Sequence, residues 1–152
     1  SNWDFLVGLA VRSIMRFKSN FLGKKELFKK PWGWLFTRLG GYPVDRSSKT
    51  NKVDQVVQVI KNSNHFVIAI APEGTRKKVE KWKTGFYHIA VGAGVPILPI
   101  AMDYKTKQIR FMPLFYPTGD YDADLPKILE RYRGVLGKHF DKMSQPLQDL
   151  HG

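Results

Sequence analysis

No cysteine occurs among the 152 residues. That excludes disulfides, thiolate nucleophiles and cysteine zinc sites, and leaves the redox compartment open. Acids are scarce: 13 Asp and Glu stand against 25 Lys and Arg, a net charge of +12 and a pI near 10.0. Such an excess suits a polyanionic partner, whether nucleic acid, an anionic membrane surface or a phosphorylated substrate, and charge by itself does not choose among them. Long apolar runs are also missing. None reaches the roughly 20 residues that span a bilayer, and the longest candidate, Ile89 to Met102, is interrupted by Gly92, Gly94, Pro96 and Pro99. No signal-peptide pattern, internal repeat or low-complexity linker is visible.

What is present fits one domain, residues 1–152, long enough to bury a core. A hydrophobic content of 43% with 25% charged residues is ordinary for a globular protein and argues against disorder. The stretch around which the sequence is organised is Ala71-Pro72-Glu73-Gly74-Thr75-Arg76-Lys77, directly after the aliphatic run Phe66 to Ile70. A run without polar alternation reads as a strand covered on both faces. The loop after such a strand opens at the edge of an α/β sheet, where ligands bind. Gly74 permits a tight turn or close approach, and Arg76 offers a planar fork of donors for phosphate or carboxylate. Lys77, Lys78, Lys81 and Lys83 add positive potential. The plain alternative is a solvated turn with Glu73 paired to Arg76.

Around this centre the periodicity predicts a buried helix over Phe5 to Phe17, capped by Asn2 or Asp4, and a short strand from Phe17 to Leu22. It also predicts a helix opened by Pro31 over Trp32 to Phe36. Trp32, Trp34 and Phe36 beside Lys24, Lys25, Lys29 and Lys30 make an aromatic and basic stretch that suits either a membrane surface or core packing under a charged rim. Gly40-Gly41 turns into a short strand ending at Asp45-Arg46, either a salt-bridged turn or a second arginine at the same edge. Val53, Val56, Val57 and Ile60 fall on one helical face, so strand, helix and strand form a crossover unit.

Thr84 is a cap for a helix over Phe86 to Val91, closed by Gly92 and Gly94. Val95 to Met102 reads as a strand at an edge or with missing ladder bonds because of its two prolines. Ile109 to Phe115 is its antiparallel partner. A last helix starts near Asp124, with Leu125, Ile128, Leu129, Tyr132 and Leu136 on one face, and the tail from Met143 is a short amphipathic helix or a frayed end. The fold class expected is α/β, a central mixed, largely parallel sheet with flanking helices.

Four blocks in order resemble the glycerolipid acyltransferases of the 1-acylglycerol-3-phosphate acyltransferase type. Asp4, in Asn-Trp-Asp-Phe, resembles the aspartate end of a His-x-x-x-x-Asp block. Gly41 and Arg46 match Gly-x-x-x-x-Arg. Pro72 to Arg76, followed by Trp82-Lys83-Thr84-Gly85, match Pro-Glu-Gly-Thr-Arg and an aromatic-Lys-x-Gly element. Val95, Pro96, Pro99 and Ile100 match Val-Pro-x-x-Pro-[Val/Ile]. The blocks cover residues 1 to about 100. The pattern departs in one place: its histidine would fall two residues ahead of Ser1. No histidine within the chain has an aspartate five positions on, so the expectation is a chain cut inside the first block and inactive alone.

The resemblance implies transfer of a fatty acyl group from acyl-CoA or acyl carrier protein to a hydroxyl of lysophosphatidate or a related glycerol phosphate, in phospholipid synthesis. It implies no cofactor and no metal. Asp4 would orient the upstream histidine as general base. Arg46 and Arg76 would hold the acceptor phosphate with Gly74, Thr75 and Lys83, and Glu73 would position acceptor hydroxyls or lock the loop. The implied location is the cytoplasmic face of a membrane, bound at its anionic surface or through a missing N-terminal segment, with no nucleic acid as partner. Two other readings stay open: a non-catalytic lipid-binding relative, and a basic nucleic-acid-binding domain stacking bases on Trp32, Trp34 and Trp82.

Overall fold

The computed structural model describes residues 20–29, 31, 33–38, 40–44, 52–75 and 77–151. The expected helix over Phe5 to Phe17, Asp4, Trp32, Arg46 and Arg76 lie outside the described residues. The chain divides into two compact units, Ser1–Ile70 and Ala71–Gly152, both built from helix and strand, so the chain is an α/β protein.

In the first unit, β1 (Phe21–Lys24) and β2 (Gly41–Val44) pair in parallel, with Phe21 opposite Gly41 and Lys24 opposite Val44. Asn20, just before β1, forms a further parallel bridge with Ile68. Pro43 has no N–H to give a second neighbour, which suits an edge strand. Between the strands lie a 3₁₀ turn (Lys25–Phe28) and α1 (Gly33–Arg38). The helix opens at Gly33 rather than at Pro31, and the Gly33 N–H bonds the Lys29 carbonyl of the preceding turn at 3.1 Å. A Cβ at Gly33 would strike the Phe28 carbonyl, so only glycine allows that close approach. Trp34 is exposed. The helix read from the valine spacing is α2 (Lys52–Lys61), with Val56, Val57 and Ile60 buried.

The strand expected over Phe66 to Ala71 needs correction. Only Ile68 makes a bridge, and Val67 and Ile70 are exposed. A strand buried on both faces needs a ladder partner and a cover for alternate residues; among the described residues this run has the single Asn20 partner. Phe66 is held by edge-on packing against Tyr42, ring centres 5.8 Å apart.

The second unit holds α3 (Gly85–Ala93), the antiparallel pair β3 (Ile100–Asp103) and β4 (Gln108–Phe111), α4 (Tyr121–Glu130) and α5 (Gln145–Gln148). Thr84 sits at the N-cap of α3 but its side chain makes no cap bond, and Gly94 closes the helix. The strand expected from Val95 to Met102 is broken into an Ile97–Phe115 bridge and β3, because Pro99 cannot donate to the ladder. The antiparallel partnership stands. α4 starts earlier than expected: Asp120 is the N-cap, its carboxylate accepting the Ala123 N–H at 3.0 Å, and Asp124 is buried inside the helix. α4 also stops at Glu130, before Leu136. The core packs Trp82, Tyr87, Phe115 and Ile128, with Ile97, Leu125, Tyr132 and Leu147 around them.

The tail is a seated helix. Gln145 N–H bonds the Val79 carbonyl at 2.9 Å, and Ser144 is fully buried. At the β3–β4 turn, Lys107 is the one described non-glycine residue with positive φ, 56°. A left-handed conformation strains a residue with a Cβ. Lys107→Gly is therefore expected to raise stability by about 0.5–1 kcal/mol, read as an upward shift of the urea midpoint with unchanged slope.

Candidate active site

The Ala71–Gly74 stretch forms a β-turn, with the Gly74 N–H bonded to the Ala71 carbonyl at 3.1 Å. Proline in the second position sets φ, and glycine in the fourth takes φ +63°. The chain then runs out through Lys77 to Lys81 and returns, where the Lys83 N–H bonds the Pro72 carbonyl at 2.9 Å. The two halves of the third block are thus closed into one loop. A Cβ on Gly74 would stand 2.8 Å from both Cδ and Nζ of Lys83. The lysine side chain lies directly over the turn; glycine is favoured there by its φ, and a Cβ would displace the end of the Lys83 side chain.

What fixes Lys83 is its neighbour. The Trp82 indole is buried, donates from Nε1 to Ser144 Oγ at 2.9 Å, and meets Phe86 and Tyr132 edge-on. Trp82 is therefore a core anchor, and the idea of it as an exposed base-stacking group is corrected: its ring faces are taken by protein. Glu73 is half-buried, while Gly74, Thr75 and Lys83 are exposed. Thr75 Oγ1 accepts the Lys77 N–H at 3.3 Å. Lys78 Nζ bonds Gln148 of α5 at 2.8 Å. Lys83 Nζ carries no carboxylate partner among the described residues, so its charge is open to an anion, next to the N-terminus of α3, whose dipole has the same sign.

Beneath the loop's anchor lies a buried polar network that the sequence reading missed. Asp124 Oδ2 accepts from Tyr87 Oη at 2.7 Å, from Thr118 N–H at 2.7 Å and from Thr118 Oγ1 at 2.9 Å. Tyr87 Oη accepts the Gly119 N–H at 3.0 Å. The Thr118 N–H, then the Tyr87 hydroxyl, hold the Asp124 carboxyl down to about 2 against the opposing effect of burial. Asp103 is lowered by its bonds to Thr106, with further help from Arg110 at 2.6 Å. Burial pushes the Tyr132 phenol up to about 12.

These shifts set both ends of the stability profile. A lowered carboxyl stabilises the fold above its unfolded value of 3.8 and loses that contribution as pH falls through about 2. A raised phenol stabilises below its ordinary 10.0 and loses that contribution as pH rises through about 12. Unfolding midpoints measured across pH should fall in these two windows, and Asp124→Asn should flatten the acid limb while Tyr132→Phe flattens the alkaline one.

The loop sets an exposed lysine over a glycine turn within the Ala71–Gly152 unit of an α/β chain. Comparison with known proteins gives this chain its family. The family model Acyltransferase matches residues 1–103, and the chain belongs to the acyltransferase family. It is 34% identical over 98 residues to the 1-acyl-sn-glycerol-3-phosphate acyltransferase of Escherichia coli, a match covering 59% of this chain and 39% of that protein. It is 30% identical over 146 residues to the enzyme of the same name from Cocos nucifera, covering 83% of this chain and 47% of the relative. A solved structure of the 1-acyl-sn-glycerophosphate (LPA) acyltransferase PlsC from Thermotoga maritima aligns with TM-score 0.49 at 25% identity, over 72% of this chain and 52% of that one. The chain spans less than half the length of these two curated relatives.

Of the residues singled out in the sequence, the structure brings Glu73, Gly74, Thr75 and Lys83 together in one loop. Asp4, Arg46 and Arg76 lie outside the described residues.

Proposed function

We propose that the protein is an O-acyltransferase that moves a fatty acyl group from acyl-CoA or acyl carrier protein to the free hydroxyl of lysophosphatidate or a related glycerol phosphate, in phospholipid synthesis. The observation that carries the reading is the closed Pro72–Thr75 loop with Lys83 over Gly74, in a chain of the acyltransferase family. In this reading Asp4 orients a histidine of the first block, and that histidine takes the proton of the acceptor hydroxyl. The hydroxyl oxygen forms a bond to the thioester carbonyl carbon, the carbon–sulfur bond breaks, and the proton passes to the departing thiolate. Arg46 and Arg76 hold the acceptor phosphate, bidentately where geometry allows. Lys83, Gly74 and Thr75 complete the anion site, and Glu73 positions the acceptor or holds the loop. Both substrates held in one orientation supply a large part of the acceleration, and the residues require no metal or cofactor for this step.

The relatives named as 1-acyl-sn-glycerol-3-phosphate acyltransferases support lysophosphatidate as acceptor. The site of action in this proposal is the cytoplasmic face of a membrane, to whose anionic lipid the +12 charge draws the protein. The burial of Trp82 weighs against the nucleic-acid reading. The test is thiol release from an acyl-CoA or an acyl carrier protein, with and without lysophosphatidate, by the 152-residue chain and by a version carrying the native residues upstream of Ser1. Acceptor-dependent release that disappears when the upstream histidine is replaced supports the proposal. Tight binding of lysophosphatidate without release in either version overturns it in favour of a lipid-binding relative. Turnover by the 152-residue chain alone overturns the histidine mechanism.

A further inference from the structure

The β3–β4 ribbon is inside out. An antiparallel ribbon on a protein surface ordinarily turns apolar residues to the core and polar ones to water. Here the inward face carries Ala101 and the buried Asp103 carboxylate, which is ion-paired to Arg110 at 2.6 Å. The alternate residues, the cross-strand pairs Ile100–Phe111 and Met102–Ile109, are all apolar. Ile100 and Phe111 are 44% and 43% exposed. The strip continues past β4, where Phe115 turns inward and its neighbours Leu114 and Tyr116 stand out at 46% and 69% exposed.

The solvent-facing charge at the ribbon's tip is positive, while Arg110 is paired to the buried Asp103. The sequence from Tyr104 to Gly119 holds Lys105, Lys107 and Arg110 and no acid. Lys105 and Lys107 are exposed at the tip of the ribbon. Arg131, the C-cap of α4, backs the strip, its guanidinium 5.4 Å from the centre of the Phe115 ring and bonded to the Pro113 carbonyl at 2.6 Å. Leu114 and Tyr116 are therefore presented by a braced segment.

We propose that this ribbon face, Ile100, Phe111, Leu114 and Tyr116 with the Lys105–Lys107 tip, is a docking surface for an anionic phospholipid bilayer. A few apolar side chains in a shallow strip fall well short of the roughly 20–30 residues a side used by stable protein–protein interfaces. They suffice for shallow insertion at the headgroup level when lysines add attraction to anionic lipid, and tyrosine suits that depth. The inference deepens the proposed function by giving the enzyme a surface that brings it to its lipid. It does not depend on turnover.

The absence of cysteine makes the test direct: single-cysteine variants Leu114→Cys, Tyr116→Cys and, as an exposed control, Asp141→Cys carry an environment-sensitive fluorophore. Vesicles of phosphatidylcholine with one quarter phosphatidylglycerol should shift the probes at 114 and 116 to the blue and expose them to quenching by brominated lipid, leaving the control unchanged. Leu114→Ser with Tyr116→Ser should weaken vesicle partition about tenfold. Lys105→Gln with Lys107→Gln should weaken it about twentyfold on these vesicles and little on pure phosphatidylcholine. Three results overturn the proposal: no partition onto anionic vesicles, partition with the 114 and 116 probes still in water, or probes shielded without lipid by a concentration-dependent dimer. Each is read without acyl transfer, so an inactive chain that docks as described refutes the proposed activity alone, and an active chain that fails to dock refutes this surface alone.

Discussion

Trp82→Ala is expected to lower the stability of the Ala71–Gly152 unit by about 4–5 kcal/mol, measured as the loss in urea unfolding free energy. The ring is buried, so truncation removes its transfer free energy and leaves a cavity between Phe86 and Tyr132, which it now meets edge-on. It also strips Ser144, fully buried, of the indole N–H that its hydroxyl accepts. Trp82→Phe separates the two effects. It keeps most of the apolar volume but leaves Ser144 Oγ without that donor, and should cost about 1–3 kcal/mol. Equal losses in the two variants would mean that the hydrogen bond, not ring packing, dominates. Because Trp82 adjoins Lys83, the packing loss should reach the loop: Trp82→Ala should weaken lysophosphatidate binding even at temperatures where the unit stays folded.

Arg76→Ala is expected to lower kcat/KM for a lysophosphatidate acceptor about 100- to 1,000-fold, in the form of the protein that shows thiol release. In the proposed site the arginine is a bidentate phosphate partner, and removal of a charge-assisted donor from a preorganised anion site has effects of that order. Arg76→Lys should recover only a small part, because a point charge cannot make two parallel bonds. The companion change is Gly74→Ala. It strains a turn at φ +63° and places a methyl group 2.8 Å from Lys83 Nζ, so the lysine must leave the loop. If Lys83 holds phosphate, Gly74→Ala and Lys83→Ala should have similar effects on KM for the acceptor, and the double variant should be little worse than either. Additive losses would show that Gly74 acts through the turn alone. Unchanged kinetics in Arg76→Ala would remove the arginine from the site.

The edges of elements were least legible where polar residues cluster. Asp120, Asp122 and Asp124 all suit the start of a helix, and only the backbone path distinguishes the cap at Asp120 from the buried Asp124. The Thr118-Gly119-Asp120 turn before it was the available signal for an early start, since glycine breaks the preceding run just ahead of a capping residue. Nothing in sequence marks Ser144 as a partner of Trp82, 62 positions away.

Local patterns determined what local physics controls. The spacing of Val53, Val56, Val57 and Ile60 specified α2 and its buried face, because helical periodicity needs no distant partner. Gly94 ended α3, the prolines at 96 and 99 interrupted a ladder, and the Pro72-Glu73-Gly74 order specified a turn. The blocks also indicated the family, since they depend on residue type and spacing alone. Tertiary structure decided everything that requires two remote segments to meet. It buried Trp82 against Ser144 and Tyr132, laid Lys83 over Gly74, and enclosed Asp124 with Tyr87 and Thr118. It also turned the apolar face of the β3–β4 ribbon outward: alternation along a strand fixes two faces but not which one the core covers, and here the buried Asp103 carboxylate, paired to a partly exposed Arg110, occupies the inner side.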